Sequence, residues 1–172
     1  MLLQILANTP KWVFVLFVGL LWLGSSQLLT RKVGLSRATL LAIGMTGLSL
    51  YGTASAFAAV PLALIAWLAS AAAALALVLR RPQAAGTSYD AASRRFTVPG
   101  SAVPLTLMMG IFITKYAVGV SLSLQPALAR DLAFALLVSG LYGAFSGVFA
   151  ARAARLWRMA LAQDRLQAPG IA

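Results

Sequence analysis

The sequence predicts an all-α integral membrane protein: a bundle of five transmembrane helices, N-terminus outside and C-terminus in the cytoplasm, with a short hairpin-like cytoplasmic loop between spans three and four. Three observations lead there. Of 172 residues, 61% are hydrophobic and 10% are charged, whereas soluble domains carry about 25% charged residues. The apolar residues come in long runs instead of short periodic segments, which suits a bilayer better than a water-soluble core. The basic residues flank those runs, unequally on the two sides.

A span needs roughly 20 apolar residues to cross about 30 Å of hydrocarbon at 1.5 Å per residue. The first covers 12–29. Asn8 or Thr9 can cap it, Pro10 suits its first turn, and Trp12 is placed to anchor at the interface. The segment before it lacks a basic stretch and no small-residue cleavage site follows, so this span is expected to be retained and not removed as a secretory signal. Between Arg37 and Arg80 no residue is charged. That stretch is too long for one helix and is read as two spans, 38–52 and 57–79. The break is placed at Gly52-Thr53-Ala54-Ser55, because glycine and small hydroxyl residues favour turns, and Pro61 then falls near the first turn of span three.

Span four, 102–125, opens after Pro99-Gly100-Ser101, closes at Pro126 and contains Lys115. Span five, 132–151, runs into a basic tail, 152–172, expected to stay helical beyond the membrane with Trp157 near the headgroups. The loop 80–101 is the one sizeable soluble piece. Its Tyr89 to Val98 stretch reads as a small two-stranded hairpin, marginal unless packed on the bundle.

Orientation follows from the loop charges. Arg31, Lys32, Arg37, Arg80, Arg81, Arg94, Arg95, Arg152, Arg155, Arg158 and Arg165 fall on one side of the five-span arrangement, and only Lys11 and Arg130 on the other. The excess side is cytoplasmic. The net charge of +11 thus reads as membrane topology, with no nucleic-acid partner. Of the basic residues, Arg80, Arg81, Arg94, Arg95, Arg152, Arg155 and Arg158 are placed to meet lipid headgroups or simply to set topology.

Cysteine and histidine are absent and there are only three acids, all aspartates outside the spans. Thiolate and imidazole catalysis and imidazole or thiolate metal ligation are thereby excluded, and no cofactor is expected. Lys115 is the sharpest chemical feature, since a charge near the bilayer centre costs at least about 2.5–3.5 kcal/mol. With Thr114, Tyr116 and Tyr142 at similar depth it forms a candidate polar pocket. Two readings stay open: a site for an anionic or carbonyl-bearing substrate or a proton, and a lysine hydrogen-bonded inside the bundle that fixes helix register. Span five also carries small residues at every fourth position, Ala135, Ser139, Gly143, Gly147 and Ala151. Such a ladder lets another helix approach closely, inside the bundle or in a homo-oligomer.

The run Tyr89-Asp90, Arg94-Arg95-Phe96-Thr97-Val98-Pro99-Gly100-Ser101, Pro104-Leu105 and Thr114-Lys115-Tyr116 resembles a bacterial inner-membrane family of unknown function. A looser similarity of layout links it to small membrane proteins assigned to cytochrome c biogenesis. The resemblance implies a multi-pass inner-membrane location and no activity. The expected role is a non-enzymatic accessory, assembly or scaffold component. Its partners would be the lipid bilayer and either further copies or other membrane proteins. The alternative is a small transporter or channel-like protein using the pocket around Lys115.

Overall fold

The computed structural model describes residues 10–82, 87–90 and 95–167. Asn8, Thr9 and Arg94 lie outside the described residues, as do the turn residues 91–93 and the side chain of Arg165. The described elements are α1 (Lys11–Ser25), β1 (Arg31–Gly34), α2 (Leu35–Ala56), α3 (Leu62–Arg80), β2 (Ser88–Asp90), β3 (Arg95–Val98), α4 (Val103–Leu124) and α5 (Leu132–Gln167). Short 3-10 turns follow α1 at Ser26–Leu28 and link α4 to α5 at Pro126–Arg130. Four stretches are long and apolar enough to cross a membrane: Lys11–Leu28, Leu62–Arg80, Val103–Leu124 and Leu132–Gln163. α2 has 22 residues but is not among them, because Gly44, Thr46, Gly47, Ser49, Gly52, Thr53 and Ser55 dilute its apolar side chains.

The break expected at Gly52-Thr53-Ala54-Ser55 does not occur there. α2 runs through all four residues and ends at Ala56. Ser55 bonds back along the helix to the Tyr51 carbonyl at 2.7 Å, so its hydroxyl satisfies itself without opening a turn. Thr53 and Gly52 serve helix packing instead. The reversal lies at 57–61, where Phe57 N–H donates to Thr53 O, Val60 N–H to Phe57 O and Ala63 N–H to Val60 O. Pro61 caps α3 with no N–H to leave unpaired. Phe57 and Val60 turn inward there, and Phe57 meets Phe134 of α5 edge to face at 6.0 Å.

α5 is the central element. It packs most closely along α3 and next along α2, whereas α4 pairs mainly with α1 and approaches α5 at fewer points. A core cluster gathers Phe57, Val60, Ala63, Trp67, Val118, Ala135, Val138 and Tyr142. The outside is apolar: Trp12, Trp22, Leu40, Ile43, Ile65 and Leu68 are all exposed. Water-soluble chains rarely show contiguous apolar surface on that scale.

At one end of the bundle the expected hairpin gains a third strand. β3 is central in the order β1-β3-β2, antiparallel to both neighbours, with Lys32 opposite Thr97 and Thr97 opposite Ser88. β1 comes from the connection between α1 and α2, a segment read as plain loop. Its pairing answers the marginal stability of two isolated strands. Val33 and Tyr89 flank Phe96, which is fully buried, and the Tyr89 and Phe96 rings lie 4.6 Å apart.

α5 is 36 residues long, about 54 Å, and so outlasts a span of about 30 Å. Its extension ties the same end together. The Arg155 guanidinium donates to the carbonyls of Val78 and Arg81, where α3 ends. The last carbonyls of a helix have no partner within it and carry its negative dipole end, so a cation from a neighbouring helix satisfies both needs. Trp157 Nε1 donates to Thr39 Oγ1 of α2 at 2.8 Å.

Candidate site around Lys115

Lys115 sits on α4 about 14 Å along the axis from that helix's end at Leu124. Its amine lies 5.1 Å from the centre of the Tyr142 ring on α5, within the range where a cation is attracted to an aromatic face. Gly52 of α2 completes the arrangement. A Cβ there would stand 3.2 Å from Lys115 Nζ and 3.8 Å from Tyr142 Cε2. Three helices therefore meet at one level, and glycine leaves the room the amine occupies.

Behind the ring lies a hydrogen-bonded chain. Trp67 Nε1 donates to Ser49 Oγ at 3.0 Å, the Ser49 hydroxyl donates to the Tyr142 carbonyl at 3.0 Å, and the Ser146 hydroxyl donates to that carbonyl at 2.9 Å. It links α2, α3 and α5 through buried groups, each of which would be costly to leave unmade. Lys115, Ser49, Tyr142 and Ser146 border a small space with Met45, Leu48, Ile111, Phe145 and Phe149, in which a water-sized body finds about 10 Å³ of room. That is about the minimum for one water, against about 300–1,000 Å³ for ligand pockets.

The structure brings Lys115 and Tyr142 together but not the other two candidates. The Thr114 hydroxyl donates to Gly110 O at 2.7 Å within its own helix. Tyr116 stacks on Phe112, which in turn meets Phe17 of α1 at 5.3 Å. Neither Thr114 nor Tyr116 lines the space beside Lys115. Read from the sequence, Ser49 and Trp67 have no part and Gly52 is assigned to a turn, although Ser49, Gly52 and Thr53 recur at the three- and four-residue spacing of one helix face. Asp131, the acid nearest Lys115 along the chain, accepts the Phe134 N–H at 2.7 Å and so caps α5. Among the described residues no three of His, Cys, Asp or Glu gather to hold a metal.

The small-residue ladder of α5 faces α3. A Cβ on Gly143 would run into the Trp67 carbonyl and Ser70 Oγ, and one on Gly147 into the Ala71 carbonyl and Ala74 Cβ. Ala135, Ser139 and Ala151 are fully buried. The buried hydroxyls of Ser139 and Thr53 have no hydrogen-bond partner. Of the arginines, Arg80, Arg81, Arg95 and Arg158 are exposed and Arg152 is half-buried. Arg155 is taken up by α3.

These features define a small helical bundle, apolar outside, with helices fit to cross a membrane and a lysine at the junction of three of them. The chain belongs to the family of unknown function DUF6622, whose model matches residues 1–169. No curated protein and no solved structure matches it, so the looser similarity to cytochrome c biogenesis proteins gains no support.

Proposed function

We propose that the chain is a multi-pass protein of the bacterial inner membrane, crossing five times with the N-terminus outside, and that it acts as a non-enzymatic accessory or scaffold component. α2 supports the fifth crossing. It runs the height of its neighbours, from Thr39 beside Trp157 to Phe57 beside Phe134. Its Ser49 and Thr53 are buried, so those polar groups are withdrawn from lipid. The pairing of β1 with β3 and the reach of Arg155 to Arg81 gather the basic segments at one end, which the positive-inside rule assigns to the cytoplasm.

The observation that carries the role is the size of the space beside Lys115. Room for about one water, behind mostly apolar walls, serves helix packing better than passage of a substrate. In this reading Lys115, resting on Tyr142 in the gap left by Gly52, sets how α4 meets α2 and α5. A transporter or channel-like role is the second reading. It is favoured by the expense of an amine at this depth with none of the three aspartates in a span.

Lys115→Met separates the two when expression is measured together with rescue of a deletion strain. A well-expressed variant that rescues fully supports the scaffold. A well-expressed variant that fails supports transport.

A further inference from the structure

We propose that the guanidinium groups of Arg80, Arg81 and Arg158 form a binding site for the phosphate of an anionic phospholipid, at the end of the bundle where α3 stops against α5. The argument begins with the Arg155 cap. A helix C-terminus carries roughly half a negative charge on unpaired carbonyls and attracts nearby cations. At α3 those carbonyls are already met from the next helix, by Arg155 on Val78 O and Arg81 O. Arg80 and Arg81 are thereby relieved of capping their own helix, and both are exposed.

The same contact places Arg158. It follows Arg155, which reaches the α3 terminus, by about one turn of α5 and is exposed. Guanidinium groups present planar pairs of N–H donors that match phosphate oxygens. The one acid with a described side chain at this end, Asp90, stands across the sheet opposite Arg95.

Three features favour a lipid over a soluble anion. Leu77, 62% exposed, lies about one turn below Arg80 and Arg81, and Leu68 and Ile65 continue an exposed apolar surface down α3 for an acyl chain. Trp157, next to Arg158, is 43% exposed while its N–H is held by Thr39, the half-wet setting that indoles take at headgroup level. Ala72, Ala73 and Ala76 leave α3 low between those points, so a chain can lie along it.

The test uses the full chain in nanodiscs of phosphatidylcholine alone or with added phosphatidylglycerol, with lipids retained after extraction read by native mass spectrometry. The expected result is retention of phosphatidylglycerol over phosphatidylcholine by about tenfold or more, weakened by salt. Arg80→Gln/Arg81→Gln/Arg158→Gln should lose it. Lys11→Gln/Arg130→Gln, at the opposite end, should keep it. Circular dichroism on both variants establishes that they fold. Inorganic phosphate at millimolar concentration should not compete. Equal retention by the folded triple variant and the wild type overturns the proposal, as does equal loss in the Lys11/Arg130 variant. Displacement by inorganic phosphate overturns the lipid and leaves a soluble-anion site.

Discussion

Gly143 and Gly140 lie on the same helix, three residues apart, and the structure sets opposite fates for them. A Cβ on Gly140 meets nothing within 4 Å, whereas one on Gly143 is driven into the Trp67 carbonyl, with the Trp67 carbonyl carbon at 2.9 Å. Backbone cannot rotate away as a side chain can, so α3 and α5 must part along their closest seam. Alanine in place of glycine brings each variant the same gain in helix propensity, about 1 kcal/mol. That term cancels between them and leaves the steric cost, about 1–3 kcal/mol for overpacking a close-packed contact. For a chain of this length each kcal/mol shifts the unfolding midpoint by roughly 2–4 °C. Gly140→Ala should therefore match or exceed the wild type in detergent, and Gly143→Ala should melt below Gly140→Ala by roughly 2–12 °C. Thermal melts followed by circular dichroism decide it. Equal midpoints would refute the assignment of Gly143 to the α3 seam.

Arg155→Met should cost about 1–3 kcal/mol by leaving the α3 carbonyls unmet, and hydrogen exchange should quicken around Val78 to Arg81. Thr53→Val and Ser139→Ala remove buried hydroxyls that bond to nothing, so each should be neutral or stabilising by up to about 1 kcal/mol in the same melts. For topology, cysteines placed singly at the exposed Ser55 and Ser88 should differ towards an impermeant thiol reagent on intact cells. Ser55→Cys should label and Ser88→Cys should not, and the reverse would invert the orientation.

Helix count and placement were legible because each apolar run is long and bounded by charge or proline, as with 102–125 against the observed Val103–Leu124. The turn after α2 was misplaced by a few residues for an identifiable reason. Gly52-Thr53-Ala54-Ser55 has the composition of a turn, but its glycine answers to Lys115 and Tyr142, contacts remote in sequence. β1 was illegible because Arg31-Lys32-Val33-Gly34 has little strand character, and only pairing with β3 makes it a strand. At the candidate site, depth alone picked out Lys115 and Tyr142. It could not separate them from Thr114 and Tyr116, since residues adjacent on a helix point to different neighbours.

The three aspartates all lie away from the level of Lys115 on α4. One lies on the sheet, one caps the start of α5, and one lies in the basic extension. The amine instead rests on Tyr142 in the gap left by Gly52, so a second copy docking on the opposite face of α4 would meet the exposed Ile113 and not the lysine.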